Sequence, residues 1–317
     1  MIGHRSRQIF VVAATVAALL SGALVSACGG GDENATSTPT SAPQSGSANA
    51  GQTGKGSGNA SAGQTGKNAT ADSFDPSSFG NPATGANEFL PLEPGTQTTR
   101  EGFVNVGSRR LPHRVVTTVT DVSKEIAGVR TVVILDQDFN GGQIAEQALD
   151  FVAEDKQGNV WSLGSYTESY EGGQFVNASD AWLAGVNGAT PGVLMLADPQ
   201  PGTPEYTESA IPGGEVSTSQ VAETGQSQCV PFKCYKDVLV IEEGGGEYKY
   251  YAPGVGQIKT EPLSGDGKQE VEDLINLTQL SPRGLAEVSA EVLKLDRNAP
   301  GQAPDVFGDA AAAKRNL

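Results

Sequence analysis

From residue 87 onwards the chain is a succession of short apolar runs broken by turn residues. The turn signals are Ala127-Gly128, Asn140-Gly141-Gly142, Asp155 to Asn159, Glu171-Gly172-Gly173, Gly244-Gly245-Gly246 and Ser264 to Gly267. Between them, runs rich in Val, Ile, Thr and Tyr predict strands over 113–122, 129–138, 147–154, 160–170, 237–243 and 248–251. The intervals leave no room for the crossover helices of a parallel sheet. In Val160-Trp161-Ser162-Leu163-Gly164 the large residues fall on one face, and Val238-Leu239-Val240-Ile241 is apolar on both, as in a central strand. The period changes once, near the end. Ser281 can cap a helix, Pro282 suits its first turn, and Leu285, Val288, Val292 and Leu295 make one apolar stripe. The expected fold is all-β: a curved antiparallel meander, an open or partial barrel or sandwich, with one C-terminal helix covering an open end or face. The β-rich domain spans 87–296, and 297–317 reads as a flexible tail.

The first 86 residues follow a different pattern. Arg5 and Arg7 give a basic start, and an apolar run from Ile9 to Leu20 leads to small residues and Val25-Ser26-Ala27-Cys28. The run is too short for a convincing transmembrane helix. Its ending resembles a bacterial lipobox. That resemblance implies a signal peptide over 1–27, cleavage after Ala27, and lipidation of Cys28 by diacylglycerol and further acyl chains, palmitate among them. The chain would then be a lipoprotein held on the extracytoplasmic face of a cell membrane by its lipid anchor. Residues 28–86 are Gly, Ser, Thr, Asn, Ala and Gln with Phe74 and Phe79 as the only aromatics, and read as a disordered linker. As a flexible coil it would span roughly 40 Å. Within it Ala50-Gly51-Gln52-Thr53-Gly54-Lys55 recurs as Ala62-Gly63-Gln64-Thr65-Gly66-Lys67. The Gly-Lys pairs do not make a phosphate loop, because Asn49 and Ser61 stand where its first Gly belongs and Gly56 and Asn68 where its Ser or Thr belongs.

Charge narrows the partners. Acidic residues outnumber basic ones 37 to 21, a net charge of −16, which excludes nucleic acid as a partner. With 2 His, neither His-rich metal sites nor a Ser-His-Asp triad has much material, and no Gly-x-Ser-x-Gly elbow occurs. No cofactor is expected.

Three stretches resemble a group of uncharacterised bacterial secreted proteins and lipoproteins. Asn87-Glu88-Phe89-Leu90-Pro91-Leu92-Glu93-Pro94-Gly95-Thr96 is similar to that group's "YFPLKPGT" opening. Gly158-Asn159-Val160-Trp161 follows, with Trp182 to Gly185 and Pro191-Gly192 downstream. Tyr250-Tyr251-Ala252-Pro253-Gly254-Val255-Gly256 is similar to the "YYAPGVG" ending. The resemblance implies a curved, mostly antiparallel β domain and no particular activity. The aromatic pair that usually follows "PGT" is replaced here by Gln97-Thr98-Thr99.

Asp136-Gln137-Asp138-Phe139-Asn140-Gly141 matches the opening of a calcium loop, with Asp136, Asp138 and Asn140 as oxygen ligands. Position twelve is Gln147 rather than Glu, the flanks read as strands, and Asn140-Gly141 is a hairpin signal, so a metal-free turn is expected there. Cys229 and Cys234 lie in an oxidising compartment if the chain is exported, which predicts a structural disulfide. Acids cluster at Glu146, Asp150, Glu154 and Asp155 and at Glu242 and Glu243, as on an acid-rich surface, and His113 reads as a surface or half-buried residue. Trp161, Trp182, Tyr248, Tyr250 and Tyr251 are the candidate ligand contacts, since aromatics on a concave sheet face can hold an apolar small molecule or an envelope component. No catalytic constellation stands out, so the favoured function is a non-enzymatic binding or interaction domain on a surface lipoprotein. The alternatives are an envelope glycan hydrolase using paired carboxylates and a structural or assembly factor.

Overall fold

The computed structural model describes residues 69–81, 86–214, 216–244, 246–263 and 270–316. Cys28 and the signal segment, and the linker up to residue 68, lie outside the described residues. The strands are β1 (Thr96–Val106), β2 (Arg109–Ile126), β3 (Val129–Asn140), β4 (Gln143–Glu154), β5 (Val160–Glu171), β6 (Gln174–Asn177), β7 (Trp182–Leu183), β8 (Thr190–Met195), β9 (Tyr206–Ala210), β10 (Val216–Cys229), β11 (Cys234–Glu243), β12 (Glu247–Ala252), β13 (Gly256–Pro262), β14 (Val271–Gln279) and β15 (Lys314–Arg315). The helices are α1 (Pro282–Gln302) and α2 (Pro304–Phe307).

The sheet is all antiparallel, as expected, but it is closed. Hydrogen bonding runs β1-β14-β13-β12-β11-β10-β9-β8-β5-β4-β3-β2, and β2 pairs back with β1 to complete a 12-strand barrel. β6 and β7 pair with β5 off this path, and β15 adds to β2. The open or partial form expected from the sequence is therefore corrected. Closure rests on β1 meeting β14, from Thr96 opposite Gln279 to Phe103 opposite Val271. Those partners are far apart in the chain, so no local turn signal announces them. Gly102 lets the two strands approach, for a Cβ there would lie 1.8 Å from the Val271 carbonyl oxygen.

The hairpin turns at Ala127-Gly128, Asn140-Gly141-Gly142 and Glu171-Gly172-Gly173 form as their residues dictate, while the turn expected over Ser264 to Gly267 lies outside the described residues. Asn140 and Gln143 pair across Gly141 and Gly142, whose φ values of 60° and 81° are those of a type I′ turn. The segment with the calcium-loop pattern is thus a strand running into a hairpin. Cys229 and Cys234 pair across β10 and β11 and form the expected disulfide.

Both ends of the ordered region extend further than the sequence suggested. Residues 69–81, read as linker, make two short 3-10 turns that lay Phe74 and Phe79 on Trp161, with ring centroids 5.6 and 6.0 Å away. The polar composition around these two rings concealed a local apolar anchor. Asn87 is buried, its amide donating to the Gly158 and Leu196 carbonyls while its oxygen accepts from the Phe89 and Leu90 amides. This fixes the segment that carries Leu90 to Leu92 against the barrel.

At the other end α1 starts where predicted, with the Ser281 hydroxyl accepting from the Gly284 amide. It buries Val292, Leu295 and Ala299 of its last turns and continues through Pro300. The supposed tail then packs. Phe307 is buried against Phe151 and Tyr166, which face outwards from β4 and β5. Lys314 and Arg315 pair with Ser123 and Val122.

Among the described residues no helix is long and apolar enough to cross a membrane. The outward positions of β1 carry Gln97, Thr99 and Glu101, and those of β10 and β11 carry Gln220 and Glu242. These are polar where a lipid-facing barrel strand would be apolar.

Candidate functional site

Alternation along the strands decides what enters the barrel. On β3 the inward set includes Ile134, Asp136 and Asp138, and on β4 Glu146, Ala148 and Asp150. On β1 it includes Thr98 and Arg100, and on β2 His113, Val115, Thr117 and Val119. The register confirms this: Asp136 lies opposite Thr117, Asp138 opposite Val115, and Asp150 opposite Ser165 of β5. Across the barrel, Tyr206 and Glu208 of β9, Glu243 of β11, Glu247, Lys249 and Tyr251 of β12, and Glu272 of β14 with Glu270 before it are all buried.

Among the described residues the lumen thus holds nine buried carboxylates, Asp136, Asp138, Glu146, Asp150, Glu208, Glu243, Glu247, Glu270 and Glu272, against three basic groups, Arg100, His113 and Lys249. The acid-rich surface expected for Glu146, Asp150 and Glu243 is corrected, and so is the surface reading of His113, which is 3% exposed. An acid alternating with apolar residues looks the same in sequence whether its face meets water or a polar lumen. Glu154 and Asp155 are also buried, but they serve the fold. Glu154 accepts from the Ala86 and Asn87 amides, and Asp155 from the Trp161 indole and from Asn159.

The basic groups are tied to particular acids. Arg100 Nε donates to Glu272 Oε1 at 2.9 Å, and Lys249 Nζ meets Glu243 Oε2 at 2.6 Å. Glu272 Oε1 also accepts from Thr260 Oγ1 and Gln257 Nε2. Burial works against the charge of Glu272, but Arg100 and His113 outweigh it and hold this carboxyl below its ordinary range. Elsewhere burial wins. It pushes Asp150 up to about 8, with Asp136 adding repulsion, and Glu146 up to about 8, with Asp136 and Asp150 adding to it. Glu208, bonded by Ser217 and Ser219, is also pushed up to about 8 by burial and by Glu243. Asp138 rises for the same reasons, burial first and then Asp136 and Glu146. The two aspartates of the calcium-like motif do share a face and repel, but as strand residues inside the barrel. Asn140 is engaged with His113, 2.8 Å from its Nδ1.

A cavity of about 80 Å³ lies between this polar lumen and the segment closing one end. Thr98, Arg100, Thr117 and Asp136 face Leu90, Leu92 and Tyr251 across it. Drug-sized ligands occupy pockets of roughly 300–1,000 Å³. The space suits a few waters or a small ion.

The aromatic candidates are dispersed. Tyr251 alone lines the cavity. Trp161 is buried under Phe74 and Phe79, and Trp182 is buried beside β5. Tyr248 and Tyr250 alternate to the opposite face from Tyr251, where Tyr250 donates to Glu261. No aromatic platform for a sugar or an apolar molecule is assembled from these five. The sequence reading missed Arg100, Lys249, Glu208, Glu247, Glu270 and Glu272. The available signal was acids two apart within β-type alternation, Asp136 with Asp138 and Glu270 with Glu272.

The sequence matches no family model and no curated protein. Two solved structures are similar to parts of the chain. One is a protein of Parabacteroides distasonis named as a candidate lipoprotein, 15% identical with a TM-score of 0.35, covering 61% of this chain and 99% of its own. The other is a Bacteroides fragilis protein named as a candidate exported protein with a YmcC-like fold, 14% identical with a TM-score of 0.32 and the same coverages.

Proposed function

We propose that this chain is an extracytoplasmic lipoprotein, anchored through Cys28, whose barrel is a non-enzymatic binding module for a small cation. The observation that carries the binding reading is the lumen itself, where nine buried carboxylates face three basic groups. Burying so much potential negative charge is costly unless protons or cations neutralise it. A cation that enters gains every such interaction at once, in a setting where charges are poorly screened. The basic start, apolar run and Val25-Ser26-Ala27-Cys28 ending support the anchor. The polar outward residues of β1, β10 and β11 support a barrel that sits beside the membrane, tethered to it.

Two measurements test this. Cys28→Ala should release the protein from the membrane fraction or stop its maturation. Mature Cys28→Ala protein that stays in the membrane fraction would refute the anchor. Native mass spectrometry of the protein from its own envelope should show a bound cation that is lost on acidification. A bound neutral lipid or sugar would overturn the cation reading.

A further inference from the structure

We infer that His113, Glu270 and Glu272 form a binding site for a divalent transition metal of the zinc type. This deepens the proposed cation binding and rests on it. The three side chains come from β2, from β14 and from the residue just before β14, and are 3%, 4% and 2% exposed. One ligand atom from each lies within 4.8 Å of the other two. Donors around a tetrahedral zinc, each about 2.0–2.2 Å from the ion, stand roughly 3.3–3.6 Å apart, so shifts of about 1 Å close the shell.

The bonding state of these atoms is what points to a ligand. His113 Nε2, Glu270 Oε2 and Glu272 Oε2 are all buried without a hydrogen bond. His113 Nε2 and Glu270 Oε2 form an ion pair at 3.1 Å, and Glu272 Oε2 beside them has no hydrogen-bond partner. A buried carboxylate oxygen left unsatisfied next to such a pair is costly for a merely structural contact. A metal satisfies all three together.

The surroundings hold each ligand in position. His113 Nδ1 lies 2.8 Å from Asn140 Oδ1, which orients the ring so that Nε2 faces the carboxylates, where a metal would take the place of a proton. Glu272 uses its other oxygen, Oε1, for Arg100, Gln257 and Thr260, so Oε2 is held in position and spare. Asp138 and Glu146 add negative potential, since both interact electrostatically with Glu270. One imidazole and two carboxylates suit zinc, iron or manganese, whereas calcium prefers six to eight oxygens.

The test uses the full chain in detergent, stripped with chelator and titrated with ZnCl₂ by calorimetry and with CoCl₂ by visible absorption. We expect one equivalent bound, with d–d bands of low-coordinate cobalt. Glu272→Gln keeps the shape and should weaken zinc at least tenfold, as should His113→Gln, with folding checked by circular dichroism. Should His113→Gln fail to fold, Glu272→Gln and the cobalt spectrum still decide. One equivalent of zinc bound equally well by folded Glu272→Gln would overturn this site and leave the cation-binding lumen standing. No binding of zinc or cobalt by the stripped chain would overturn the site. If no monovalent or other divalent cation binds either, the cation reading of the lumen falls too.

Discussion

Asp296→Ala should be one of the most damaging single substitutions in this protein. Lys124 of β2 is almost fully buried, and its ammonium group lies 2.7 Å from Asp296 Oδ1 on α1. It also donates to the Ala311 carbonyl and sits over the rings of Phe151 and Phe307. The second Asp296 oxygen accepts from the Ala313 amide. One carboxylate thus ties the helix, the barrel wall and the C-terminal segment together. Removing it leaves an ammonium without its counter-charge in a low-dielectric site, which costs about 3–5 kcal/mol. For a domain of this size that is a melting temperature lower by roughly 6–20 °C. Lys124→Met with Asp296→Leu should recover most of the loss, because replacing a buried pair by apolar residues is close to neutral. A melting curve for Asp296→Ala within 2 °C of the parent would show that the C-terminal segment does not depend on this pair.

The same contact shows where sequence reading stops. β2 to β5, β11 and β12 were legible because their hairpins carry their own instructions, as Asn140-Gly141-Gly142 does, whereas β1, β8, β9, β10, β13 and β14 were not read as strands. The helix was legible from Ser281, Pro282 and a stripe of four apolar residues. Closure of the barrel was not, because it depends on β1 finding β14 and no local residue encodes that meeting. Nor was the packing of residues 297–316. Their few apolar groups, Phe307 above all, acquire meaning only against Phe151 and Tyr166 on strands far back in the chain. The lumen was the hardest to see. Glu270 and Glu272 read as solvated until the barrel is closed around them, and so does His113 beside Arg114, although Leu111 and Val115 flank it on its own face. The acids at Asp136 and Asp138 attracted attention for a loop geometry they do not have. Their spacing of two was informative for a different reason, since it put both on the inner face.

The crowded lumen also sets how stability responds to pH. Asp150 is buried opposite Ser165 on the barrel's inner face, and its folded value is raised to about 8 from an ordinary value near 4. Below about pH 4 the carboxyl is protonated in both the folded and the unfolded chain, and it adds no pH dependence. Between about 4 and 8 the unfolded chain has released a proton that the folded chain keeps. Stability therefore falls as pH rises through this window, and levels off once the folded carboxyl also ionises. Glu146 and Glu208, with values raised to about 8, pull in the same direction. A difference of this size corresponds to an upper bound of roughly 5 kcal/mol for one group, so the protein should melt well below its acid-side maximum at pH 8.5. Asp150→Asn retains the shape and a neutral polar head, and removes one group from the sum. In chelator, where no metal offsets the charge, this variant should melt several degrees above the parent at pH 8.5 and close to it at pH 4.5. Glu208→Gln should act alike, less the bonds that Ser217 and Ser219 give to the carboxylate. Thermal melts of parent and variants across this range measure the slope directly. Identical slopes for parent and Asp150→Asn would mean that Asp150 is ionised inside the barrel throughout, with its charge compensated by groups other than a proton.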